Sequence, residues 1–148
     1  MEKIVILLVE DDLDDREILS SAIKEVYPSA YLMEITNGKE LCQLADDSNA
    51  PHIDMIFMDI NLPFCNGKLC LEKLRQSARY ASVPIMMMTT SSRGKDIDDT
   101  FESGATRYIV KPYSYIKILE LMKGILANVK NFNSSIKDKN AYLWRYSV

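Results

Sequence analysis

Histidine is almost missing from this chain of 148 residues, where His52 is the only one. A Ser-His-Asp relay would have to use it, yet it stands in Asn49-Ala50-Pro51-His52-Ile53, which reads as the loop before a strand. A surface role suits it better. Cysteine is scarce too. Cys42, Cys65 and Cys70 are an odd number with no Cys-x-x-Cys pair, so reduced thiols in a cytoplasmic protein are expected and a zinc site is not. No apolar run approaches the ~18 residues that span a membrane. Met1-Glu2-Lys3 leads directly into an apolar segment that stops at Glu10 with no small-residue cleavage site, unlike a secretory signal. The net charge of −3 speaks against a general nucleic-acid binder. The 47% of hydrophobic residues excludes a disordered chain, and the length fits one domain with a short tail.

What is present is a repeated pattern. Ile4 to Val9 is a continuous apolar run that ends at Glu10-Asp11-Asp12. Such a run predicts a strand buried on both faces. Helical spacing follows over 13–26, with Asp12, Asp14 and Asp15 crowding the first turn, where the helix dipole favours acids. A short strand is predicted at Tyr31 to Ile35, a turn at Asn37-Gly38 and a helix over 39–46. Ile53 to Met58 predicts another buried strand, stopping at Asp59. Further helices are predicted over 68–79, 94–103 and 114–127, and further strands at Val83 to Met88 and Tyr108 to Val110. Strand and helix thus alternate five times, which implies an α/β fold with a parallel sheet covered on both faces and right-handed crossovers. In such sheets, sites form at the carboxyl ends of the strands.

Four of those ends carry polar groups that strand packing does not require: Glu10-Asp11-Asp12, Asp59, Thr89 and Lys111. All four lie on one edge of a parallel sheet. Clustered carboxylates repel and raise one another's pKa unless a cation intervenes. Oxygen ligands without histidine or thiolate suit Mg²⁺. With the hydroxyls of Thr89 and Ser91 and the ammonium of Lys111 added, the set is suited to a phosphoryl group. The Met86-Met87-Met88 run is read as strand core, and Cys42 and Cys70 as helix packing; Cys65 lies in the loop after Asp59.

These residues resemble the receiver domains of bacterial two-component response regulators over 1–127. The resemblance rests on the acidic pair after the first strand, Asp59-x-x-x-Pro63 with Gly67 beyond it, Thr89 after the fourth strand and Lys111-Pro112 after the fifth. It implies a flavodoxin-like fold with strand order 2-1-3-4-5. It also implies that Asp59 is the phosphoacceptor and that Mg²⁺ is held by Glu10, Asp11, Asp59 and the main-chain carbonyl of Asn61. Thr89 and Lys111 would bind the phosphoryl group, Thr89 and Tyr108 would act as the switch, and Pro112 would follow a peptide bond that is often cis in this family. Glu10 stands where many members have Asp. Thr90 stands where Ala, Ser or Gly is usual, and a β-branched residue there is expected to shield the phosphoryl group. Asp14 and Asp15 extend the acidic run as in single-domain regulators similar to those serving bacteriophytochromes.

The implied function is a phosphoaccepting switch with intrinsic autodephosphorylation, not a turnover enzyme, and the implied partner is a sensor histidine kinase. A receiver-like interaction module without phosphorylation is disfavoured because Asp11, Asp59, Thr89 and Lys111 are all intact. An Asp-nucleophile phosphatase would need an acid where Asn61 stands, and a flavin protein would not have acids after the first strand. No DNA-binding or catalytic segment is recognised after residue 127, so output through protein contact is expected, without nucleic acid or membrane. The tail, 128–148, carries Phe132, Tyr142, Leu143, Trp144 and Tyr146, and sets Lys130, Lys137, Lys139 and Arg145 against Asp138. So aromatic a segment is expected to dock, on its own domain or across a homodimer.

Overall fold

The apolar runs become strands whose two faces feed two separate cores. The computed structural model describes residues 3–132 and 138–144. Its strands are β1 (Val5–Val9), β2 (Tyr31–Ile35), β3 (Met55–Met58), β4 (Ile85–Thr89) and β5 (Arg107–Val110). Between and after them lie α1 (Leu13–Val26), α2 (Gly38–Asp46), α3 (Gly67–Gln76), α4 (Gly94–Glu102) and α5 (Tyr115–Leu126), followed by a 3₁₀ turn at Val129–Asn131 and the short α6 (Lys139–Tyr142). The sheet is parallel throughout, in the order β2-β1-β3-β4-β5. The alternating side chains Ile6, Leu8, Phe57, Met86, Met88 and Ile109 pack with Leu19, Ile23, Leu121 and Ile125 of α1 and α5. Leu7, Ile56, Met58, Met87 and Tyr108 pack on the other face with Leu41, Leu71 and Leu74 of α2 and α3. The methionine run is therefore core on both faces.

Local chemistry sets the element ends. Asp12 is the N-cap of α1, its side chain accepting from Asp15 N–H, so it lies just outside the helical turn expected to contain it. Asn37, Asn66 and Ser114 cap α2, α3 and α5 in the same way. Strand β3 begins at Met55, later than the expected Ile53, because the Asp54 carboxylate accepts from Val5 N–H at 2.8 Å and ends the apolar run there. Strand β4 begins after Pro84, which has no N–H to offer the ladder. Helix α3 stops at Gln76, short of the expected 79. Arg75 holds the turns beyond it, its guanidinium donating to the carbonyls of Tyr80 (3.0 Å), Val83 (2.7 Å) and Gly104 (2.8 Å). Burial pushes the Arg75 pKa down to about 10. His52 is exposed and pairs with Asp54 at 2.8 Å.

Residues 138–144 return to the open edge of β5. Leu143 forms a parallel bridge with Tyr108, and Trp144 N–H donates to Tyr108 C=O at 2.8 Å. Tyr142 is buried, with its ring centroid 5.1 Å from Phe101 and 6.0 Å from Tyr108. Its hydroxyl donates to Thr100 Oγ1 at 2.6 Å. Lys139 pairs with Asp98 at 2.8 Å. Lys137, Arg145 and Tyr146 lie outside the described residues.

Candidate functional site

Parallel strands bring the carboxyl ends of β1, β3, β4 and β5 to one edge, and the polar residues there meet. Glu10 and Asp59 each follow the last residue of their strand and are buried; Lys111 follows β5. The Lys111 ammonium donates to Glu10 Oε1 at 2.7 Å, to Asp59 Oδ2 at 3.1 Å and to Asp15 Oδ2 at 3.2 Å. The second Asp59 oxygen, Oδ1, accepts from Asn61 N–H at 3.2 Å. Thr89 is fully buried at the end of β4, where its carbonyl accepts from Lys111 N–H at 2.8 Å. Gly67 is required at the start of α3 because an added Cβ would collide with Asp59 C=O. Asp11 and Asn61 are exposed beside their buried neighbours.

Asp15 is the member of this cluster that the sequence places in a helix turn and in the acidic run, but not beside Lys111. Its spacing from Glu10 was visible, but the reach of Lys111 across from β5 was not. The structure also corrects the expectation for Pro112. No cis peptide occurs among the described residues, so the Lys111–Pro112 bond is trans, the form an X–Pro bond prefers by ~0.5–1 kcal/mol.

From Thr89 a second set of contacts leads away from the edge. Ser91 N–H reaches Thr89 Oγ1 at 3.4 Å, and Ser91 Oγ donates to Asp96 Oδ2 at 2.5 Å. The Tyr108 hydroxyl donates to Ser91 C=O at 2.8 Å, with its ring fully buried. Lys68 pairs with Asp96 and Asp99, both at 2.8 Å, holding α3 against α4. Tyr108 in turn packs against Tyr142 of the tail.

The electrostatics of the pocket are uneven. Burial pushes the Glu10 carboxyl up to about 7, against the opposing pull of Lys111. Glu10 and Asp59 hold the Lys111 ammonium protonated well above its ordinary range, although burial works against the charge. Glu10 Oε2 is buried with no hydrogen-bond partner, an unmet acceptor one residue from the exposed Asp11. An all-oxygen donor set with an unsatisfied buried carboxylate oxygen fits a hard divalent cation such as Mg²⁺.

A pH dependence follows from Glu10. Between about 4.5 and about 7 the folded chain retains a proton that the unfolded chain has released. The contribution of this group is therefore fully present below about 4.5 and lost as pH rises through 7. In chelator, Glu10→Gln is expected to flatten the fall in melting temperature across that window. Parallel pH profiles for both proteins would assign the titration elsewhere.

An open cleft beside Lys111 is lined by Asp15, Leu19, Thr90, Pro112, Tyr113 and Tyr115. Of the apolar residues that line it, Ile18, Tyr113 and Tyr115 are exposed. No helix among the described residues is long and apolar enough to cross a membrane.

Residues 6–123 match the family model described as the response regulator receiver domain. The chain is 30% identical over 138 residues to the probable transcriptional regulator ycf29 of Porphyra purpurea, covering 92% of this chain and 63% of that protein. It is 26% identical over 125 residues to the response regulator Rcp1 of Synechocystis, covering 82% of this chain and 85% of that protein. The structure superposes on the phosphorylated cyanobacterial phytochrome response regulator RcpA with a TM-score of 0.80, at 22% identity, covering 88% of this chain and 96% of that one. The chain spans 63% and 55% of the lengths of two curated relatives, ycf29 and a stress response regulator of Meyerozyma guilliermondii.

Proposed function

This chain belongs to the response regulator receiver domain family, and from that premise we propose that Asp59 accepts a phosphoryl group from the phosphohistidine of a sensor kinase. The observation that carries this reading is the Lys111 ammonium, bonded at once to Asp59 and Glu10 at a buried strand edge. A lysine so placed neutralises charge where a phosphoryl group adds it. An Asp59 carboxylate oxygen attacks phosphorus and the P–N bond breaks. Its electron pair stays with the imidazole, which takes a proton from solvent. Lys111 and the Thr89 hydroxyl receive the charge spread over the equatorial oxygens. Glu10, Asp11, Asp59 and the Asn61 carbonyl would hold Mg²⁺, which would supply further neutralisation of the charge that the phosphoryl group brings. Water later attacks the acyl phosphate, releasing inorganic phosphate and restoring the carboxylate.

The contacts from Thr89 through Ser91 to Tyr108 supply a route for the switch. Drawing the Thr89 hydroxyl toward a phosphoryl group alters the Ser91 backbone that anchors the Tyr108 hydroxyl, and Tyr108 carries the tail residue Tyr142. A segment that lies on this face, as residues 138–144 do, would report the change. The exposed Ile18, Tyr113 and Tyr115 in the cleft beside Lys111 favour a protein as the phosphoryl donor over a small molecule. The similarity to Rcp1 and to the phytochrome response regulator RcpA, of which the chain covers 85% and 96%, supports a single-domain regulator that serves a phytochrome-type kinase.

Incubation with acetyl phosphate and Mg²⁺ is expected to add one phosphoryl group to the intact mass, and chelator to suppress it. No mass gain with either a small donor or a histidine phosphotransfer protein would favour a module that signals without phosphorylation. Thr90 is exposed in the cleft beside Lys111. Thr90→Ala is expected to speed loss of the phosphoryl group by about 2- to 10-fold, equivalent to about 0.4–1.4 kcal/mol of barrier. An unchanged decay rate would remove Thr90 as a shield.

A further inference from the structure

The fold gathers three thiols that the sequence scatters. Cys42 comes from α2, Cys65 from the loop after β3, and Cys70 from α3. Cys42 Sγ lies 3.2 Å from Cys65 Sγ and 3.5 Å from Cys70 Sγ, and all three sulfurs fall within 4.8 Å of one another. Cys70 is fully buried, while Cys42 and Cys65 are half-buried, so the group has a closed floor and an accessible rim. The backbone is built for this approach. An added Cβ at Gly38 would collide with the Cys65 carbonyl, so glycine there lets the loop lie against the start of α2. The Cys70 thiol faces the carbonyls of Gly38 at 3.4 Å and Cys65 at 3.6 Å.

We propose that Cys42, Cys65 and Cys70 form a trigonal site for a soft monovalent cation, copper(I), separate from the carboxylate pocket. Thiolates select soft ions such as Cu(I) and Zn²⁺. Zinc in a structural site takes four ligands, and the cluster offers sulfur alone, from three residues. A metal about 2.3 Å from three coplanar sulfurs holds them roughly 4 Å apart, close to the spacing already present. Burial and mutual proximity push the Cys42 and Cys70 thiols up, which favours their protonated form in the metal-free chain. On binding, each thiol gives its proton to solvent and its sulfur electron pair to the ion, and no electron is transferred. Bound metal would tie the loop that carries Asn61 and Cys65 to α2 and α3. The site itself does not depend on the role given to Asp59.

The test is an anaerobic competition, with the reduced full chain withdrawing Cu(I) from a coloured Cu(I)-specific chelator. One equivalent is expected to be withdrawn, with proton release and a thiolate-to-copper absorption band. Cys65→Ser, which changes a half-buried loop residue, is expected to abolish withdrawal at the same chelator concentration while leaving the metal-free melting temperature near that of the parent. Cys42→Ser provides a second ligand deletion on a different element. Failure of the parent to withdraw copper would overturn the proposal, as would equal withdrawal by both variants. So would one-to-one Zn²⁺ binding without copper binding. Formation of a Cys42–Cys65 disulfide under peroxide, in a chain that takes no Cu(I) when reduced, would assign the cluster to redox chemistry instead.

Discussion

Asp59→Asn is expected to gain no phosphoryl group from acetyl phosphate under conditions that fully label the parent chain. An amide has no anionic oxygen to attack phosphorus and cannot form the acyl phosphate. The substitution is nearly isosteric, and its carbonyl oxygen can still accept from Asn61 N–H, as Asp59 Oδ1 does at 3.2 Å. Lys111 keeps its bonds to Glu10 and Asp15. Folding should therefore persist, and loss of labelling would report chemistry rather than collapse. The clustered acids Asp11, Asp12 and Asp14 are the competitors. They are exposed, and none is among the carboxylates bonded to Lys111. Labelling of the variant equal to the parent would transfer the role to one of them.

Tyr142→Ala is expected to produce the largest change in stability. The side chain is 1% exposed, packs against Phe101 and Tyr108, and spends its hydroxyl on Thr100. Removing a buried aromatic costs about 3 kcal/mol, which for a chain of this size lowers the melting temperature by about 6–12 °C. The loss is bounded by the docking energy of the segment, because residues 138–144 can detach while the sheet stays folded. Deleting 138–148 should therefore cost at least as much as the point substitution. Tyr142→Phe keeps the rings together and should cost only ~1 kcal/mol for the lost hydrogen bond. If Tyr142→Ala melted with the parent, the contact between the tail and β5 would carry no stability. Phosphorylation of Asp59 should survive all three changes, since no side chain bonded to Lys111 lies in the tail.

The sheet was legible in the sequence because doubly covered parallel strands must be apolar throughout, and Ile4 to Val9 and Val83 to Met88 read as nothing else. The site was legible for a related reason: Glu10, Asp59, Thr89 and Lys111 interrupt apolar runs at the ends where a parallel sheet makes them neighbours. Less local features were not legible. Asp15 reads as an acid favoured by a helix dipole, and only the fold, which brings the first turn of α1 to the carboxyl end of β5, shows it beside Lys111. The cysteines are 23 and 28 residues apart along the chain for the Cys42 pairs, and their meeting depends on a loop path permitted by Gly38. Helix ends shifted where a side chain outbid the backbone pattern, as Arg75 does beyond α3.

Borohydride trapping tests the central claim most directly. The reagent reduces an aspartyl acyl phosphate to homoserine, leaving free carboxylates untouched. Peptide mapping of the acetyl phosphate-treated full chain should then find homoserine at position 59 and nowhere else. Homoserine at 11, 12, 14 or 15, or a phosphorylated chain with no homoserine at all, would contradict the account.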